Sequence, residues 1–169
     1  LDDLSEGLLL STLKTLSQLY FSVEKYENAL EMIDRFIATV EKAEPEILMI
    51  RGQALYQLGR YREAITPLKK AIEDIQKQKV TPDENWLLLL RACYHEEEDF
   101  RAMLNILKIL VSEYPKVDYI KNIASVFSEL EQTENALAML EPLYESGLMS
   151  EENEVFNLGS LYLLVRLPY

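Results

Sequence analysis

Apolar side chains recur along this chain at spacings of three and four residues, in segments separated by short polar turns. This spacing is typical of amphipathic helices, whose apolar residues lie on one face. Prolines at 45, 82 and 115 fit the first turn of three such helices. The pattern therefore predicts an all-α chain with about nine helices, covering roughly residues 7–22, 25–41, 46–58, 60–78, 84–97, 99–113, 116–129, 132–146 and 151–166.

A second pattern repeats on top of the first. A small residue is followed by an aromatic residue or Leu after three positions, an aromatic residue after six more, and Ala after three more. Its instances, some of them imperfect, are Ser17-Tyr20-Tyr26-Ala29, Gly52-Leu55-Tyr61-Ala64, Arg91-Tyr94-Phe100-Met103, Ala124-Phe127-Thr133-Ala136 and the incomplete Gly159-Tyr162. The first positions, 17, 52, 91, 124 and 159, are 35, 39, 33 and 35 residues apart. Small residues allow two helices to approach closely, and the aromatic rings fill the space between successive units.

These residues and their period resemble the tetratricopeptide repeat family over essentially the whole chain. The resemblance implies a right-handed superhelical stack of antiparallel helix pairs in a single domain over residues 1–169. We expect repeats at about 10–44, 45–83, 84–116 and 117–151, with the first helix of a truncated fifth repeat at 152–169. Because the sequence stops where a second helix would start, we expect the chain to be part of a longer protein.

A narrower resemblance rests mainly on the run Glu-Asn-Trp-Leu-Leu-Leu-Leu-Arg-Ala at residues 84–92, with supporting stretches at 11–20 and 157–169. These segments look like exported bacterial repeat proteins encoded beside TonB-type energy-transduction components. The resemblance implies a periplasmic location and TonB-system partners. A cytoplasmic location is the alternative.

The net charge of the chain limits the classes of molecule that it is expected to bind. The net charge is −12, with 17 basic and 29 acidic residues. Such a surface repels phosphate backbones, so we expect no nucleic-acid binding and instead a basic or neutral protein partner. The longest strongly apolar run, 86–90, is too short to insert into a membrane.

Little in the sequence suggests catalysis. The single cysteine, Cys93, lies in an apolar helix and is expected to be a buried, inert thiol. The single histidine, His95, precedes consecutive acidic residues that diverge around a helix end and so do not converge on a metal. The five glycines are isolated and form no phosphate loop. We therefore expect no enzyme activity, no metal and no cofactor.

The family resemblance implies that the first helix of each repeat lines a concave binding groove. Mapped onto this sequence, the candidate groove residues are Lys14, Gln18, Phe21, Met49, Gln53, Tyr56, Asn85, Leu88, His95, Lys121 and Ser125. Aromatic and aliphatic anchors among amides suit an extended peptide or a helix. The main hypothesis is a protein-interaction domain. The alternative is an assembly module that associates, as a homodimer for example, through the apolar end at 161–164.

Repeat three departs from the pattern because Arg91 stands where a small residue is usual. A buried guanidinium without a counter-charge is costly, so the sequence predicts charge-assisted hydrogen bonds to a neighbouring carboxylate, such as Glu63, Asp99 or Glu129. On that basis Arg91→Ala is predicted to be destabilising.

Overall fold

A computed structural model describes residues 2–149 and 151–166, and every regular element in those ranges is an α-helix. The elements are α1 (Asp2–Ser22), α2 (Tyr26–Thr39), α3 (Pro45–Gln57), α4 (Tyr61–Lys77), α5 (Glu84–Glu96), α6 (Phe100–Glu113), α7 (Val117–Glu129), α8 (Thr133–Glu145) and α9 (Glu152–Arg166). The predicted all-α class and helix number are confirmed. Apart from the start of α1, the predicted bounds agree within about two residues, the usual uncertainty of helix ends. The predicted end of the fifth repeat, 167–169, lies outside the described residues.

The chain forms two compact units, residues 1–97 and 98–169. In the first unit, α1 packs on α2 and α3 on α4, while α2–α3 and α4–α5 contacts join the successive pairs. In the second unit, α7 packs on α8, and α6 and α9 contact the two sides of that pair. Turns of only a few residues join the helices of a pair, so the two helices run antiparallel.

The predicted close-packing positions lie where the helices of a pair touch. Ala29, Ala64 and Ala136 are fully buried, and Ser17 and Ala124 are nearly so. The closest approach is at Gly52 in α3, where an added Cβ would lie 2.2 Å from Cδ2 and 2.4 Å from Cγ of Leu68 in α4. The repeated small residue therefore has a steric cause, as the sequence pattern indicates.

Each turn within a helix pair is closed by one residue with positive φ. These residues are Glu24, Gly59, Glu98 and Glu131, with φ between 54° and 69°. In the second repeat, the Gly59 amide donates to the Tyr56 carbonyl and the next amide to the Leu55 carbonyl, which satisfies groups at the end of α3. Only Gly59 was predictable, because glutamate is not a residue that favours left-handed backbone.

Each unit has its own apolar core. In the first unit, one cluster forms around Ile33 and Ile47, which join the first two helix pairs. In the second unit, Leu137, Leu143 and Leu158 belong to a cluster that joins α9 to the α7–α8 pair. These cores fix the spacing of α1 and α3, and separately of α7 and α9, on which candidate site residues lie.

Arg91 does not form the predicted pair with Glu63. Its Nε atom is buried and has no hydrogen-bond partner within the described structure. Both carboxylate oxygens of Glu63 instead accept hydrogen bonds from Arg60, at 2.8 and 2.6 Å. Arg60 and Glu63 are only three residues apart across the start of α4, so their side chains pair locally. Glu63 is therefore already paired and does not bind Arg91 of α5.

Candidate functional site

A groove with a volume of about 440 Å³ opens on the first unit. Its walls come from α1, α3 and α5, the first helices of three successive repeats. The lining residues are Phe21, Gln53, Tyr56, Gln57, Asn85, Leu88, Leu89 and Ala92. Five of them, Phe21, Gln53, Tyr56, Asn85 and Leu88, were predicted from the sequence as groove residues.

Helix register explains why Phe21 and Tyr56 line the groove. Each follows the aromatic or Leu position of the repeat by one residue, so it points about 100° away from the contact within the pair. Each ring also packs on the aromatic residue that starts the next helix. The ring centroids of Phe21 and Tyr26 are 5.3 Å apart, and those of Tyr56 and Tyr61 are 5.2 Å apart. These contacts restrain the two groove rings before any ligand arrives.

Every described residue that lines the groove is uncharged, although 27% of all residues are charged. Burial raises the pKa of Tyr56, and Glu96 adds to this rise, whereas Arg91 opposes it. The phenol therefore stays protonated at neutral pH and can donate a hydrogen bond. The side-chain amides of Gln53, Gln57 and Asn85 add both donors and acceptors. The groove can thus hydrogen-bond a peptide backbone and cover an apolar side chain.

Four predicted groove residues lie elsewhere. Met49 is only 2% exposed and belongs to the core, so its placement in the groove is corrected: its face of α3 is covered by neighbouring helices. Lys14 is ion-paired with Glu44 at 2.8 Å and does not line the groove. Gln18 and His95 are exposed but also lie outside the groove lining.

Leu89 lines the groove but is not among the predicted groove residues. It follows Leu88 directly, and an apolar residue in an apolar helix carries no signal that separates groove from core. Gln57 and Ala92, by contrast, occupy the same helical register as the predicted set.

The last two predicted residues, Lys121 and Ser125, line a separate pocket of about 400 Å³ in the second unit. Its other polar residues are Ser128, Glu154, Asn157 and Ser160, and its apolar residues include Leu140, Met149 and Leu161. Lys121 of α7 donates to Glu154 of α9 at 2.5 Å. Nothing in the sequence pattern paired these two residues, which lie in different repeats.

Cys93 is fully buried, and burial raises the pKa of its thiol to about 12. The neutral thiol is a poor nucleophile and a poor metal ligand at neutral pH. Within the described residues, no group of three or more His, Cys, Asp or Glu side chains is placed to hold a metal ion. In the same part of the chain, no helix combines the length and apolarity needed to cross a membrane.

Comparisons with known proteins agree with this architecture. Residues 45–73 match the tetratricopeptide repeat family model. No curated protein sequence matches the chain.

Several solved structures share the fold. YrrB, described as a tetratricopeptide repeat protein with an unusual peptide-binding site, is 19% identical with a TM-score of 0.64, over 78% of this chain and 66% of that one. MamA AMB-1 is 16% identical with a TM-score of 0.68, over 87% of this chain and 78% of that one. A tetratricopeptide domain of yeast Sti1, solved as a complex with pHSP90, is 18% identical with a TM-score of 0.55, over 76% of this chain and 50% of that one.

The helix pairs, the buried small residues at the repeat positions and the matched repeat lead to the same conclusion. The described helices have the tetratricopeptide repeat fold, and residues 45–73 are the repeat that the family model matches.

Proposed function

We propose that this chain is a non-enzymatic interaction domain that binds an extended peptide or a helix in the groove of its first unit. The observation that carries the proposal is the groove itself. Two restrained aromatic rings, Phe21 and Tyr56, and the aliphatic Leu88 lie among side-chain amides, and the described lining residues are all uncharged.

The composition of the groove defines the ligand. Rigid aromatic side chains lose little conformational entropy on binding, so their apolar area contributes efficiently to affinity. A charged ligand side chain would contact no charged residue in the described lining, so burying it there is costly. We therefore expect a neutral segment with an apolar anchor residue. YrrB and the Sti1 domain, both described with peptide or protein ligands, support a peptide ligand for this fold.

We predict that Tyr56→Glu or Leu88→Glu weakens binding to a neutral peptide by about tenfold or more, because each places a charge in a desolvated groove. Peptides would be selected from a library of neutral, apolar-containing sequences and measured by fluorescence anisotropy. Leu19→Glu is the matched control, since Leu19 lies on α1, is 56% exposed and does not line the groove. Unchanged affinity in both groove variants, with wild-type thermal unfolding, would remove the groove from the proposal.

We also propose a location and a complex for the parent protein: it acts in the periplasm, within a TonB-linked transport complex. It is supported by the resemblance of residues 84–92 to exported proteins of that kind. A photo-crosslinking residue at position 53, inside the groove, would test it in the source cell. Crosslinks to a TonB-system component in the periplasmic fraction support the assignment, and crosslinks to cytoplasmic proteins alone contradict it.

A second function, assembly through the end of the repeat array, is favoured by the surface of α9. Phe156, Leu163 and Leu164 are 73%, 64% and 63% exposed, although such large apolar side chains usually lie buried. We predict a homodimer in light scattering that Leu163→Glu combined with Leu164→Glu converts to a monomer. A wild-type chain that stays monomeric at every concentration tested would rule out assembly through this face.

A further inference from the structure

Several polar groups of the pocket in the second unit present hydrogen-bond acceptors, while Lys121, Ser125 and Asn157 also carry donors. The hydroxyl of Ser128 donates to the Ala124 carbonyl at 3.2 Å, and that of Ser160 donates to the Phe156 carbonyl at 3.0 Å. Since each hydroxyl has a single proton, both oxygens retain only acceptor capacity toward the pocket. The Glu154 carboxylate adds further acceptor sites, of which Lys121 uses one oxygen.

The charges around the pocket also favour a cationic ligand. The hydrogen bond to Glu154 raises the pKa of Lys121, and the carboxylates of Glu154, Asp118 and Glu151 add to the rise. Three carboxylates thus act on one ammonium group, and the local field favours a further cation. The side chains of Lys121 and Glu154 are only 27% and 21% exposed, so this field is less screened than on an open surface.

The pocket also has an apolar part. Leu140, Met149 and Leu161 line it beside the polar groups. An aliphatic stem that carries a cationic, donor-rich head matches both parts, because the stem covers apolar surface while the head reaches the acceptors. A guanidinium suits the site best, since its five N–H groups can bond several oxygens at once and share the Glu154 carboxylate with Lys121.

We propose that this pocket binds a guanidinium on an aliphatic stem, held by Glu154 and the hydroxyl oxygens of Ser128 and Ser160. This site belongs to the second unit alone and does not depend on the groove of the first. Two sources carry that chemistry: an arginine side chain in a peptide and a free small guanidine.

Substitutions of Lys121 and Glu154 distinguish a cationic ligand from an anionic one. If the ligand is a cation, Lys121 competes with it for Glu154, so Lys121→Met should tighten binding. Glu154→Gln should weaken binding by about tenfold or more, because a charge-assisted contact is lost. If the ligand is an anion, Lys121 is its partner, and the two variants should shift affinity in the opposite directions.

The experiment follows amide chemical shifts of the whole chain during titration with acetyl-Gly-Arg-Gly-amide. The same peptide with citrulline in place of arginine keeps the shape without the charge, and agmatine represents the free guanidine. Lys69→Met and Glu73→Gln are matched controls, since that surface pair lies on α4 and does not line the pocket. Thermal unfolding of each variant verifies that it is folded.

Saturable shifts at the pocket with the arginine peptide, absent with citrulline and changed by the two pocket variants in the stated directions, support the proposal. Agmatine then shows whether a free guanidine suffices. The proposal is overturned if wild-type protein shows no saturable shifts, if citrulline binds equally well, or if Lys121→Met weakens binding.

Discussion

Replacing Gly52 with Ala is expected to lower the free energy of unfolding by about 2 kcal/mol. The added methyl would lie 2.2 and 2.4 Å from two carbons of Leu68, and Leu68 is itself fully buried in the α3–α4 contact. Overpacking of this kind typically costs about 1–3 kcal/mol, and a clash with Cγ as well as Cδ2 leaves no simple rotamer escape. The gain in helix propensity, up to about 1 kcal/mol, offsets only part of that cost.

Gly159→Ala is the matched control for this effect. Gly159 occupies the same repeat position in α9, but an added Cβ there meets nothing within 4 Å. The propensity gain should then dominate, and stability should stay equal or rise by up to about 1 kcal/mol. Urea unfolding of both variants measures the contrast. Equal effects at the two positions would show that Gly52 is not needed for close approach of the helices.

The sequence predicts those parts of the fold that depend on spacing along one helix. The bounds of the helices, the burial of Ala29, Ala64 and Ala136 and the groove placement of Tyr56 all follow from local period and register. These features can be predicted without the structure, because the repeat pattern already implies which helices pack beside each other.

Features that join different elements are harder to predict. Lys121 and Glu154 lie 33 residues apart, and many acidic residues could have paired with that lysine. Met49 has the register of a groove residue, but its burial depends on how the neighbouring helices cover α3. The left-handed backbone at Glu24, Glu98 and Glu131 also carries no residue-type signal. In each case tertiary packing, not local preference, decides the outcome.

Arg91 shows how such a packing detail reverses a prediction. The sequence predicts that Arg91 is paired and that Arg91→Ala is therefore destabilising. Among the described residues, however, the buried Nε of Arg91 has no hydrogen-bond partner. A buried, unsatisfied donor costs about 1–3 kcal/mol. Arg91→Met removes that donor but keeps an apolar stem of similar reach, so we expect it to raise the free energy of unfolding by about 1–2 kcal/mol.

Arg51→Met is the matched control, which tests whether hydrogen-bond satisfaction causes the change in stability. Arg51 is also partly buried, but its Nε donates to Asp34 at 2.7 Å, so the substitution removes a satisfied contact between α2 and α3. That variant should lose up to about 1 kcal/mol, as measured for partly exposed ion pairs. Opposite signs for the two arginines in urea unfolding would show that hydrogen-bond satisfaction decides the effect of each. A loss of stability in Arg91→Met would mean that the guanidinium finds a partner in solution, as the sequence first suggested.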